Sequence, residues 1–297
     1  MENMKKLIIT IALFAAMSCL YVSAQSEHEF SVYGGGGLST MRYQLSLGNS
    51  SSGLGGDFGV GYTYFHLRER AVATGKVFRE HWGIHTGIGL GLYNAKAKLN
   101  DVKTVTSDLY DSDGDRFNLH SSLADYGETQ TAMFLNIPVM AQFQIEQFYV
   151  MCGIKTGIPL KGKYKSKDAT LKNEAYYPKW DDWAKTQTFA GYGSFKGRNS
   201  EGVFDLGVNV MFALEAGINW VLSDNISLYS GAYFDYGLNN VAKDSQLKFI
   251  NYSDKNPESF TANSVLSSYS DNSKSTTFTD KVNTMALGIK VKLAFKL

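Results

Sequence analysis

The end of the chain alternates without interruption. Met285, Leu287, Ile289, Val291, Leu293, Phe295 and Leu297 occupy the odd positions, and Thr284, Ala286, Gly288, Lys290, Lys292, Ala294 and Lys296 the even ones. Successive side chains of a strand point to opposite faces, so this segment has one wholly apolar face and one polar or small face. A helix would scatter the same set around its axis. An apolar face that runs the full length of a strand needs an apolar neighbour along that whole length. Lipid supplies one, and a lipid-facing strand reads in just this way.

The same period of two recurs upstream. Between 204 and 222, Phe204, Leu206, Val208, Val210, Phe212, Leu214, Ala216, Ile218, Trp220 and Leu222 alternate with positions that include Asp205, Asn209, Glu215 and Asn219. After the turn residues Ser223, Asp224 and Asn225, the residues Ile226, Leu228, Ala232, Phe234, Tyr236 and Leu238 alternate with Ser227, Gly231, Asp235 and Gly237. This pair reads as a hairpin. A second hairpin turns at Glu146 and Gln147, with Leu135, Ile137, Val139 and Phe143 on one arm and Val150, Cys152, Ile154 and Ile158 on the other. Shorter alternations run through Trp82 to Leu92 and Phe58 to Tyr64, and a first strand near Phe30 to Tyr43 is interrupted by Gly34 to Gly37. That makes eight strands. Their connections alternate between short ones, near 67–81, 146–147 and 223–225, and long polar ones, near 45–55, 100–129, 168–202 and 241–283. A soluble β-sandwich would not sort its loops by length. The expected fold is an all-β, eight-stranded antiparallel transmembrane β-barrel with short periplasmic turns and long extracellular loops.

The start of the chain agrees with export. Lys5 and Lys6 precede an apolar run from Leu7 to Ala16, and Val22-Ser23-Ala24 fits a signal-peptidase site, so residues 1–24 are expected to be a signal peptide and residues 25–297 the barrel domain. The apolar run is shorter than the roughly 20 residues that a membrane helix needs. Lipoprotein processing at Cys19 is the other reading, but the usual Leu three places earlier is missing. Loss of Lys5, Lys6 and Glu2 from 29 basic and 28 acidic residues leaves a neutral chain, with no basic excess to hold nucleic acid. Cys152 would then stand alone, which excludes a disulfide-stapled fold.

Trp82, Phe143, Phe148 and Trp220 fall on the outward parity near the short turns, where an interfacial girdle belongs. Phe295 and Leu297 end the last strand as barrel-assembly signals do. The segments GIHTGIGLGLYNAK from Gly83, LNIPVMAQF from Leu135, ALEAGINW from Ala213 and LYSGAYFDYGLNN from Leu228 resemble the Bacteroidetes outer-membrane β-barrel family of PorT-like and OmpA-like barrels. The resemblance implies a bacterial outer-membrane location and assembly by the barrel-assembly machinery. It rests on strand motifs, which specify fold rather than activity.

An eight-stranded barrel leaves a lumen wide enough only for side chains. The inward parity places Asp57, Asp205, Glu215 and Asp235 opposite Lys155, Lys161, Lys290 and Lys292, with Asn136, Gln142, Gln144 and Asn219 between them. Such charges are expected to pair and plug the barrel; a charged constriction that passes small solutes is the alternative. His85 is expected to be a hydrogen-bonded lumen residue, and Cys152 an inert lipid-facing one.

Three loop features carry candidate chemistry. Asp111-Ser112-Asp113-Gly114-Asp115 resembles part of a calcium loop but lacks the third alternating carboxylate and the Glu at the twelfth place, so no metal site is assigned. Tyr176, Tyr177, Trp180 and Trp183 form a candidate surface for a sugar or a protein partner. His120, Ser121, Ser122 and Asp125 are hydrolase residue types in what reads as a flexible loop, with no nucleophile elbow or metal-ligand spacing. No catalytic residue or cofactor is therefore assigned. The expected function is a non-enzymatic outer-membrane scaffold, embedded in outer-membrane lipid, whose loops meet an extracellular ligand or partner. The alternatives are a narrow porin-like channel and, by analogy with PorT, an accessory of a secretion or gliding system.

Overall fold

The structure is a computed structural model that describes residues 26–71, 77–167, 169–197, 200–243, 247–251, 260–269, 277–279 and 281–297. The expected signal peptide, residues 1–24, lies outside the described residues. Eight long strands form the barrel: β1 (Ser26–Arg42), β2 (Leu54–Ala71), β3 (Val77–Leu99), β4 (Gly127–Ile145), β5 (Phe148–Ser166), β6 (Asn209–Ser223), β7 (Ile226–Gly237) and β8 (Asn283–Lys296). Each pairs antiparallel with its sequence neighbours, and β8 returns to β1 from Glu29↔Lys296 to Arg42↔Asn283. Closure leaves these strands without a free edge, which membrane-spanning sheets require.

The glycines that blur the pattern of β1 do not end the strand. Gly34 to Gly37 lie within its ladder to β8. The hairpin turns fall where the sequence puts them, with Ile145 opposite Phe148 and Ser223 opposite Ile226. The connection expected near 67–81 is a correction: β2 and β3 stay paired out to Ala71↔Val77, so most of that segment is strand.

Outside the barrel, Phe30, Val32, Leu38, Phe58, Ile84, Ile88, Val139, Ile154, Leu214, Leu287, Ile289 and Val291 are exposed, with Ile289 at 70%. In water such a belt would be an aggregation surface; in a bilayer it is the solvated face. Trp82 and Phe143 pack at a tilt, ring centres 4.4 Å apart, near the short-turn rim.

The outer connections are not the simple polar loops that their composition suggests. Strands Val102–Tyr110, Arg116–Ala124, Thr170–Tyr177, Asp182–Ala184 and Gly193–Lys196 form a second sheet above the barrel. The connection between β7 and β8 sends Phe249, Phe260, Val265, Leu266, Phe278 and Val282 inward. They join Met41, Tyr43, Tyr93, Leu99, Tyr126, Phe134, Tyr164 and Met211 from the barrel wall and neighbouring segments in one buried cluster. The barrel interior is therefore polar at the level of the lipid belt and apolar above it, where water replaces lipid outside.

Candidate functional site

The lumen charges meet at short range. Lys155 Nζ donates to Asp235 Oδ2 at 2.7 Å and to Asp57 Oδ2 at 3.0 Å. Lys290 Nζ lies 3.1 Å from Glu215 Oε2 and 3.5 Å from Asp57 Oδ2. The four carboxylate contacts tie β2, β5, β6, β7 and β8 together across the barrel. Aromatic rings fill the space between. Lys290 sits 4.9 Å from the ring centres of both Tyr33 and Tyr233, and Lys292 sits 4.3 Å from that of Tyr229. These are cation–π distances. Tyr149 donates its hydroxyl to Glu215 Oε1 at 2.9 Å. Tyr33 lies along the inner wall over β2 and β3 because they offer no side chain there: a Cβ at Gly59 would stand 2.8 Å from its hydroxyl, and one at Gly89 would collide with it. His85 hydrogen-bonds Thr63 at 2.9 Å inside the lumen, and Cys152 faces outward, as expected for both.

Of the predicted lumen residues, Asp57, Lys155, Glu215, Asp235, Lys290 and Lys292 are buried inside the barrel. Asp205 is a correction. It is exposed, whereas Phe204 and Leu206 are buried, and the inward parity resumes at Asn209. Regular strand pairing breaks between Phe204 and Asn209, which shifts the parity by one residue. Lys161 also points out, because a bulge opposite Met133 and Phe134 leaves Leu160 and Lys161 both exposed. The sequence reading missed Glu29, which accepts the Tyr229 hydroxyl at 3.0 Å, and the lumen tyrosines themselves. Tyr229 and Tyr233 stand at the parity of Ser227, Gly231 and Asp235, so the signal was present.

The surface aromatics split between two faces of the outer sheet. Trp183 pairs across from Tyr176, and its ring lies 5.0 Å from Tyr176 and 4.8 Å from His120. Trp183 is 39% exposed, and Lys172, Glu174 and Lys185 surround this face. Tyr177 belongs to the other face, where it packs on Phe117 and its hydroxyl meets that of Tyr192 at 3.2 Å. Trp180 lies 5.6 Å from Tyr177 at the turn. The four aromatics are thus two pairs rather than one cluster, because adjacent strand residues face opposite ways.

His120, Ser121 and Ser122 also lie on a strand rather than in the flexible loop that their polarity suggested. His120 packs at a tilt against Trp183, while Ser121 points to the opposite face and donates to Asn173 Oδ1 at 2.8 Å. The Asp111 carboxylate caps its own turn. Its Oδ1 accepts the N–H of Asp115 at 2.9 Å and of Asp113 at 3.0 Å, and these donors, Asp115 foremost, hold its pKa below the ordinary aspartate range. The Lys172 ammonium likewise lowers that of Glu174. Among the described residues, no three His, Cys, Asp or Glu side chains converge on a common point.

No curated protein matches the chain. Among solved structures, the translocator domain of autotransporter NalP from Neisseria meningitidis aligns over 99% of this chain and 96% of its own, at 10% identity and a TM-score of 0.18. A likeness that low carries no argument. The sequence profile of the outer membrane protein beta-barrel domain, by contrast, matches residues 23–243, taking in strands β1 to β7 of the closed barrel. With the lipid-facing belt and the paired lumen charges, that match places the protein in the outer membrane, and the chain belongs to the outer membrane protein beta-barrel domain family.

Proposed function

We propose that the protein is a non-enzymatic scaffold of the outer membrane that presents the Trp183 face of its outer sheet to an extracellular ligand. The observation that carries this reading is the exposed platform of Trp183 with Tyr176 and His120, held on paired strands above a lumen crossed by salt bridges and tyrosine rings. The half-exposed Trp183 ring, flanked by the tilted rings of Tyr176 and His120 and by Lys172 and Glu174, suits a sugar ring, which offers an apolar C–H face and peripheral hydroxyls.

The strand motifs that resemble PorT-like barrels support a second reading, an accessory role in secretion or gliding, and a deletion strain that secretes normally would remove it. The first reading is tested by two measurements on the refolded protein. A planar bilayer should stay silent, and binding to a panel of immobilised bacterial and host polysaccharides should fall at least tenfold in Trp183→Ala. Discrete conductance steps would replace the scaffold by a channel, and unchanged binding would remove the platform.

A further inference from the structure

Just above the lipid belt, one wall of the barrel carries a concentrated basic patch. Lys161, Lys163 and Lys165 project outward from β5, and Lys96 and Lys98 from β3. β4 runs between them. Thr129 pairs with Lys96 on one side and with Lys165 on the other, and Thr131 pairs with Asn94 and Lys163. All five lysines are exposed, and among the described residues none makes an ion pair. Glu201 faces Lys165 in the register without bridging it.

The spacing suits a compact anion. Alternate strand residues lie roughly 7 Å apart and second-neighbour strands roughly 10 Å, so flexible ammonium groups from β3 and β5 can converge over the Thr129 and Thr131 hydroxyls. The patch is local: at the outer ends of β1 and β8 the paired residues Arg42 and Asn283 supply one exposed cation, and Thr40 is buried. The row that holds Lys161 also holds Met133 and Leu92, and exposed Leu160 adjoins it. An occupant would therefore keep its charge against the lysines and its apolar part against the belt.

We infer that this wall binds the phosphate-bearing headgroup of a glycolipid in the outer leaflet. Five cations at the edge of an apolar belt complement a molecule with anionic phosphates, sugar hydroxyls and acyl chains. A lysine at an anionic lipid surface changes partitioning by about fivefold, so removal of several has a large effect.

The test uses the refolded mature protein in phosphatidylcholine nanodiscs, titrated with bis-phosphorylated lipid A and read by native mass spectrometry. Replacing Lys96, Lys98, Lys161, Lys163 and Lys165 by Gln should weaken retention more than tenfold, and replacing the same five by Arg should preserve it. A control that replaces the exposed Lys103, Lys179, Lys196, Lys243 and Lys248 by Gln removes equal charge from the outer connections, away from both the patch and the Trp183 face, and should change retention less than about threefold. Dephosphorylated lipid A should bind weakly to every variant, and millimolar inorganic phosphate should not compete. Equal losses in patch and control variants, no loss in the patch variant, failure of the Arg variant to retain lipid, or displacement by free phosphate would each overturn the assignment. Heat-shifted gel mobility confirms that each variant has folded.

Discussion

Lys155 is the residue on which the lumen network depends most. It is 2% exposed and bridges Asp235 and Asp57 at 2.7 and 3.0 Å. At an effective dielectric of about 20, each contact represents about 6 kcal/mol of gross attraction, most of which desolvation cancels. Lys155→Met keeps the side-chain length and removes the charge. Asp57 would retain Lys290 at 3.5 Å, but Asp235 would lose the one ion pair it makes among the described residues. Removing one partner of a buried pair leaves an uncompensated charge, which costs about 3–5 kcal/mol. Urea unfolding in phosphatidylcholine vesicles, followed by tryptophan fluorescence, should show that loss at an unchanged m-value. Adding Asp235→Asn removes the orphaned charge and should recover at least about half of the loss. A loss under about 1 kcal/mol for Lys155→Met, or a double variant no better than the single one, would mean that water solvates these groups and that the lumen is not plugged by pairing.

Three other perturbations probe separate parts of the molecule. Gly89→Val puts a side chain where the Tyr33 hydroxyl lies and should cost about 1–3 kcal/mol in the same assay, with partial recovery on adding Tyr33→Phe. Phe278→Ala removes a ring packed 4.7 Å from Phe249 in the outer cluster; it should make the segments 247–251, 260–269 and 277–279 sensitive to protease without altering the heat shift of the barrel, and an unchanged digestion pattern would refute the packing role of that cluster. Because Asp111 has a lowered folded-state pKa, its contribution to the turn is present above the unfolded value of 3.8 and is lost as pH falls through the folded one. The amides of Asp113 and Asp115 should therefore titrate with a midpoint below 3.8, and a midpoint at or above it would refute the capping role.

The barrel was legible because lipid imposes one rule on every strand at the belt, and Met285 to Leu297 obey it without exception. Legibility fails where the exterior changes from lipid to water. Asp205 and Lys161 lie at or above that boundary, where an outward charge costs nothing and a bulge or a break in pairing can move the parity. The outer sheet was hidden for a related reason. Its strands alternate charged and small residues, as in Lys172, Asn173 and Glu174, and such a pattern matches a solvated loop as well as a solvated strand. Glu29 was obscured by the glycines that follow it in β1, since glycine carries no information about which way a strand faces. The split of the four surface aromatics followed from parity alone once Thr170–Tyr177 was known to be a strand.

The paired charges of the lumen also bear on strand register. A slip of one residue in any strand turns its inward face outward. With an apolar lumen, the slipped and native barrels would present similar surfaces to lipid, and little would separate them. Here a slip of β5 would carry Lys155 to the lipid face, and one of β2 would carry Asp57 there. Lipid-facing Arg or Lys at the bilayer midplane costs about 2–4 kcal/mol, and each slip would also break the contacts that hold Lys155 between β2 and β7. Salt bridges that add little net stability to the native state can therefore add much to its separation from misregistered ones. On this argument a fully apolar replacement of Asp57, Lys155, Glu215, Asp235 and Lys290 would be as stable as the native barrel once folded, yet would refold in vesicles to several heat-shifted bands instead of one.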